Sequence, residues 1–245
     1  MRRFYFGIIL LTLTLACSKQ ASTPGTGTLS LSLSSVDLVD EVVKGKLADY
    51  GVTTPAAADF FLTIKNAAGM VYWSGNVSEW TGNIALVEGK YKISAVYGVE
   101  GEEGFEKPWF GTEQEVNVVA NQEHDVILNA HLANTMVKVA HTPMFDNYFK
   151  DCSLTFVTGN GTIIPYPETE TRPVFIEAYR FRIQGSVTAR ENGKVYPIEV
   201  DYNDGIANAT CYTLQLGADT VGGVAINIVF NDNTDIISLE EDLNE

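Results

Sequence analysis

Apolar and polar residues alternate with a period of two along most of the chain. Leu29, Leu31 and Leu33 are interleaved with Ser30, Ser32 and Ser34, the pattern of a strand with one face buried. Phe61-Leu62-Thr63-Ile64 runs through the turn Asn66-Ala67-Ala68-Gly69 into Met70-Val71-Tyr72-Trp73, which predicts a hairpin. Tyr91, Ile93, Ala95 and Tyr97 form another alternating set. The same reading places strands at 114–119, 124–131, 135–140, 153–158, 179–189, 195–202, 211–216 and 223–230. Turn residues separate them, and Glu191–Lys194 and Asn203–Gly205 read as hairpin turns. Helix is scarce. Asp40 to Tyr50 fits a short helix weakened by Gly45. Near the chain end, Ile236, Leu239 and Leu243 suit a helix face, whereas Ile237 and Leu239 suit a strand equally well.

Many short strands with frequent turns predict an all-β chain of β-sandwich architecture. A strand run ends at His141-Thr142-Pro143, so the expected division is an N-terminal sandwich over 28–140 and a C-terminal one over 141–245. No internal repeat is visible.

The N-terminus breaks the alternation. Arg2 and Arg3 precede an apolar run from Phe4 to Leu15, interrupted only by Gly7, Thr12 and Thr14. That run suits the apolar part of an export signal and is shorter than the ~20 residues a spanning helix needs. Thr14-Leu15-Ala16-Cys17 resembles a lipobox, with Thr14 where that motif favours Leu. The resemblance implies that residues 1–16 are removed and that Cys17 carries lipid. Residues 17–27 then form a flexible tether. Ser18 after the cysteine suits outer-membrane sorting, and the expected location is the outer membrane, lipid-anchored, facing the cell surface.

Charge narrows the partners. The 245 residues carry a formal charge of −15, and removal of a signal holding two arginines and no acid makes the remainder more acidic. Nucleic acid, gripped mainly by Lys and Arg on phosphate, is excluded as a partner. So is a basic grip on anionic lipid. Cys17 apart, two cysteines remain. In an oxidising compartment Cys152 and Cys211 are a candidate disulfide, with a pair of buried thiols as the alternative.

Catalytic motifs are missing: there is no GxSxG, P-loop or HExxH. His124 and His131 fall on opposite faces of a regular strand, so no shared metal is expected, and no cofactor is implied. Asp201, Asn203 and Asp204 before Gly205 have calcium-loop character, but Tyr212 stands where such a loop needs Glu; a hairpin turn is the better reading. Trp73, Trp80 and Trp109, with Tyr72 and Phe110 beside them, are candidates for sugar stacking or for core packing. Asp219-Thr220-Val221 matches the Asp-Ser/Thr-apolar pattern at which exported Bacteroidetes proteins are O-glycosylated, making Thr220 a candidate site.

The order of several segments resembles the fimbrillin-like lipoproteins of Bacteroidetes, in a branch carried as a domain of unknown function and associated with cell adhesion. These segments are Gly27-Thr28-Leu29-Ser30-Leu31-Ser32-Leu33, Phe61-Leu62-Thr63-Ile64, Ile84-Ala85-Leu86-Val87-Glu88-Gly89-Lys90-Tyr91, Lys107-Pro108-Trp109-Phe110-Gly111, Leu132-Ala133-Asn134-Thr135-Met136-Val137-Lys138-Val139 and Phe145-Asp146-Asn147-Tyr148-Phe149. The resemblance implies two tandem transthyretin-like Greek-key sandwiches and a non-enzymatic envelope protein, either an adhesin or a fimbria-associated subunit. It also implies trimming after a basic residue and polymerisation by strand exchange, with other pilin-like subunits or host and glycan surfaces as partners. Lys44 and Lys46 are the candidate processing sites; no Arg lies between residues 4 and 171. The alternative function is a surface glycan-binding lipoprotein of a polysaccharide-uptake system.

Overall fold

The computed structural model describes residues 24–35, 38–39, 45–219, 225–230 and 233–238. Cys17, Lys44 and Thr220 lie outside them. Nineteen strands are present among the described residues, with very little helix. The strands are β1 (Thr26–Ser35), β2 (Leu38–Val39), β3 (Gly45–Lys46), β4 (Phe61–Asn66), β5 (Val71–Asn76), β6 (Asn83–Val87), β7 (Gly89–Tyr97), β8 (Gly104–Phe105), β9 (Phe110–Val118), β10 (Glu123–Leu132) and β11 (Thr135–His141). After the short helix α1 (Pro143–Tyr148) come β12 (Phe149–Thr158), β13 (Ile163–Pro167), β14 (Val174–Ile176), β15 (Phe181–Ala189), β16 (Val195–Tyr202), β17 (Cys211–Asp219), β18 (Ala225–Phe230) and β19 (Asn233–Ser238). The chain end is therefore strand and not helix at 233–238. The helix expected over 40–50 is reduced, among the described residues, to a 3-10 turn at Leu47–Tyr50.

The first sheet runs β5-β4-β7-β9-β10-β1-β6. Its strands β9 and β10 meet only at Gly111–His131 and Phe110–Leu132. The sheet folds over at that corner, so that β6-β1-β10 lies across β5-β4-β7-β9. The residues the alternation turns inward meet in one cluster: Leu29, Leu86, Val126 and Leu128 from one layer, Leu62, Ile64, Tyr91 and Ile93 from the other. This is a sandwich built from period-two patterning. The predicted 61–66/71–76 hairpin is present, with a register shift at Ile64/Lys65.

The second sandwich sets β19-β18-β17-β11-β14-β8 against β13-β12-β15-β16. Its core is aromatic. Phe156 is fully buried and stands edge-on to Tyr166 at 5.5 Å; Phe181 packs 5.8 Å from Phe156 and 5.7 Å from Phe230. Gly185 on β15 pairs with Leu154 of β12, one residue beyond an irregularity between Lys150 and Ser153. A Cβ at Gly185 would collide with the backbone of Ser153 and Leu154, so glycine is required for the two strands to close. Both edge strands of this smaller sheet contain proline, Pro165 and Pro167 on β13 and Pro197 on β16. Proline has no N–H to offer, which discourages pairing with a foreign strand.

Two placements differ from the sequence reading. Strand β11, expected as the last strand of the first sandwich, lies in the second, between β14 and β17. The chain changes sheets at Ala133-Asn134, ahead of the expected division between 140 and 141. The hairpin expected around Asn203–Gly205 does not form, because β16 and β17 belong to different sheets. The intervening segment is docked instead: Ala207 N–H donates to the Tyr212 hydroxyl (2.9 Å), which donates to Gly205 O (2.8 Å), and Thr135 Oγ1 donates to Ala207 O (2.6 Å).

Pro143 sits in the first turn of α1, where its missing N–H costs nothing. The Thr142 hydroxyl accepts from Phe145 N (3.2 Å) as the N-cap. Replacing Thr142 with Ala is expected to lower stability by about 1 kcal/mol, checked by denaturant unfolding against a neighbouring exposed control.

A strap joins the two halves. Phe105 and Gly104 of β8 pair with Val174 and Phe175 of β14. Arg172 lies 5.0 Å over the Phe105 ring. Its guanidinium donates to both oxygens of Glu170 (3.0 and 2.8 Å) and to Glu106 (2.6 Å). Hydrogen bonds from Arg172 hold the Glu170 carboxyl down at about 2. A depressed carboxyl contributes stability that is present above its ordinary value of 4.5 and is lost as pH falls towards 2. Arg172→Ala is expected to return Glu170 to the ordinary carboxylate range and to remove that segment of the acid-unfolding profile. Carboxyl NMR titration checks the first point and unfolding at pH 3 against pH 6 the second.

Candidate functional site

The sequence points to the first strand, and the structure shows how it is held. Strand β1 lies between two partners. It pairs in parallel with β10 from Thr28–Glu123 to Ser35–Ala130, and antiparallel with β6 from Thr26–Val87 to Ser30–Asn83. Leu29 is fully buried in the first core, with Leu31 and Leu33 packed partly against it. The intervening serines face outward or sit half-buried. Among the described residues, strand β6 is the edge of the sheet and pairs with β1 alone. Taking β1 away would open an apolar groove along Val126, Leu128 and Leu86 and leave β6 without its ladder.

A clasp secures the start of β1. Thr28 N–H donates to Gln122 O (2.9 Å), Asn121 N–H to Thr26 O (2.8 Å), and Glu88 N–H to Gly25 O (2.8 Å). The β9–β10 turn comes so close that a Cβ at Gly27 would strike Val119 O, and one at Gly25 would strike the Ala120 side chain. His124 braces this turn: its Nε2 accepts from Val119 N–H at 2.9 Å. The brace uses the unprotonated nitrogen, so it is a neutral-imidazole contact.

Lys46 is exposed and ends the short β2–β3 ladder, paired with Leu38. The next residue, Leu47, is fully buried and opens the 3-10 turn. Lys46 N–H donates to Asp49 Oδ2 (2.9 Å). A protease reading Lys46 would find its side chain accessible but would have to unseat Leu47 to thread the bond.

The remaining predicted residues separate. Trp73 and Trp80 stack edge-on against each other, 5.1 Å apart at 83°, and pack on the first core. Trp109 is not in that pair; it lines a cleft with Tyr179. Its N–H donates to Asn134 Oδ1 (3.3 Å) and its carbonyl accepts from Ala133 N–H (2.7 Å). Asn134 is almost fully buried and also donates to Lys107 O (2.9 Å), so it fixes the crossing between sheets. Sequence reading did not single it out; the signal was an amide between two apolar runs, in Leu132-Ala133-Asn134-Thr135-Met136.

Cys152 and Cys211 are both buried thiols and are not bonded to each other. Cys152 packs in the second core and Cys211 in the first, so the candidate disulfide is absent because the fold sends the two side chains into different clusters. Burial, reinforced by Glu168 and Asp146, pushes the Cys152 thiol up to about 12, which makes it inert as a nucleophile at neutral pH. Asp201, read as part of a calcium-like loop, is occupied by Arg182, which donates to both its oxygens (2.8 and 3.1 Å) and holds its carboxyl below the ordinary range. Among the described residues no helix is long and apolar enough to cross a membrane.

Fold and strand seat together define a class: an all-β sandwich protein whose first strand is an inserted element between two others. The chain belongs to the family described as Domain of unknown function (DUF4493), whose model matches residues 25–245. No curated protein sequence matches it. Among solved structures it is similar to the fimbrial anchor protein Mfa2 from Porphyromonas gingivalis, at 13% identity over 86% of this chain and 99% of that one, with a TM-score of 0.43. It is also similar to a fimbrial assembly protein from Parabacteroides distasonis, at 10% identity over 87% and 98% of the two chains, with a TM-score of 0.46.

Proposed function

We propose that this chain is a non-enzymatic cell-envelope protein acting in adhesion or as a fimbria-associated subunit, carried to the outer membrane on lipid at Cys17 and joined to other subunits by exchange of β1. The observation that carries this reading is the seat of β1. It is the first described strand and fills its groove with a single row of leucines. An exposed lysine follows it within a short span. An extended segment with the same alternation would regain the main-chain hydrogen bonds and the leucine sites at once. The clasp adds a requirement: the incoming strand needs glycine at the positions of Gly25 and Gly27. The proline-bearing edges of the second sandwich fit the same picture, since they discourage addition at the wrong sheet.

In this reading the signal is 1–16, the tether starts at Cys17 and is shorter than the expected 17–27 because β1 already begins at Thr26, and the two sandwiches meet near Asn134. Trimming after Lys44 or Lys46 frees the strand; without trimming the protein stays anchored as a pilus base or an unpolymerised adhesin. The test is the chain expressed in its native envelope, run on unboiled denaturing gels beside a Lys44→Ala, Lys46→Ala double variant. A ladder for the parent that collapses to a single band in the variant is the expected result. A parent that runs only as a monomer with residues 17–46 still attached would overturn strand exchange.

A further inference from the structure

We propose that the cleft at the junction of the two sandwiches is a binding site for a neutral saccharide. It has a volume of about 460 Å³, within the range of small-molecule sites. The first half supplies Glu100 and Trp109; the second supplies Asn160, Glu177, Tyr179 and Asn208. Two aromatic rings with four amide or carboxylate groups match the two kinds of surface on a pyranose. Its C–H face packs on an aromatic ring, and its hydroxyls pair with amides that donate and accept and with carboxylates that accept.

The walls are built before any ligand arrives. The backbone of Trp109 is pinned on both sides by Asn134 and Ala133. The Tyr179 ring lies against Gly159, where a Cβ would collide with it, and is more than half exposed. Glu177 is held through its N–H by Glu103 Oε1 (3.1 Å), and Glu103 is held in turn by the Thr158 hydroxyl (2.5 Å). Asn160 Nδ2 donates to Glu177 Oε2 (3.2 Å), which sets an amide and a carboxylate side by side, as a vicinal diol requires.

Charge selects among ligands. Two carboxylates, Glu100 and Glu177, line the cleft, and among the described residues no Lys or Arg does; Arg180 stands beside it, its guanidinium 5.6 Å over the Tyr179 ring. Two carboxylates against one neighbouring guanidinium disfavour phosphorylated, sulfated and uronate ligands. A divalent metal is not favoured either, because no group of three or more His, Cys, Asp or Glu is arranged to hold one among the described residues. The polar lining excludes a purely apolar ligand. The site does not rest on strand exchange: the uncut chain holds the whole cleft, so its failure and the failure of polymerisation are separate results.

The experiment uses the full chain and isothermal titration calorimetry, whose signal does not depend on Trp109. The probes are glucose, galactose, mannose and N-acetylglucosamine, with β-linked disaccharides of each, up to 10 mM; polygalacturonate and spermidine are the charged comparisons. Saturable binding of a neutral sugar is expected, about tenfold weaker in Trp109→Ala. Asn208 is exposed, so Asn208→Ala is expected to keep the parent melting temperature while binding about fivefold more weakly. Trp73→Phe is expected to leave affinity unchanged. The proposal is overturned if no neutral sugar binds. It is also overturned if polygalacturonate or spermidine binds more tightly than every neutral probe, or if Asn208→Ala, folded, binds within twofold of the parent.

Discussion

Leu29→Ala is expected to destabilise the first sandwich by about 2–5 kcal/mol. Leu29 is fully buried, and its neighbours belong to two different strands, β6 through Ile84 and β10 through His124. Neither can move into the cavity without breaking the ladder that holds it. The lost side chain therefore costs both its transfer free energy and the void. All three tryptophans lie in the segment Trp73–Trp109, so tryptophan fluorescence during denaturant unfolding reports this half of the chain. Ser32→Ala, on the exposed face of the same strand, is the control, expected within about 0.5 kcal/mol of the parent. If Leu29→Ala unfolds at the parent's midpoint, β1 is not an integral part of the core, and the strand seat described above is wrong.

Phe156→Ala is expected to cost about 3–5 kcal/mol, and in the other half. Phe156 is fully buried between Tyr166 and Phe181. Phe181 in turn packs on Tyr202 and Phe230. Rings linked in this way cannot collapse around a missing neighbour, because each is fixed by another. Amide exchange in β13 and β15 is the direct measurement, since those strands pair on either side of β12, which carries the lost ring. Protection unchanged in both strands would contradict the packing.

Much of this fold was legible because alternation is a local signal. Leu29, Leu31 and Leu33 fall on one face wherever the strand sits, and the hairpin through Asn66–Gly69 needs only its own residues. Pairing partners are different. Nothing in Thr135–His141 says that its neighbours are β14 and β17, and the local signal for a boundary is Pro143, whereas a buried amide, Asn134, marks the crossing. Asn203–Gly205 has ideal turn residues, yet the strands it joins part company because Tyr212 and Thr135 hold the segment elsewhere. The cleft was the least readable feature. Its residues run from Glu100 to Asn208, and only Trp109 carries a local signal of binding, as one of three tryptophans, two of which pack on each other.

The parallel pairing of β1 with β10 also decides how the molecule meets a pulling force. Strand β10 leads onward through Asn134 into the second sandwich, while β1 is entered from the N-terminal side. A tug between the two ends draws Thr28 and Ala130 in opposite directions along the strand axis. Every rung of that ladder is then strained together and none can peel first. A strand held in this way resists tension and still yields to a competitor that enters from one end, rung by rung.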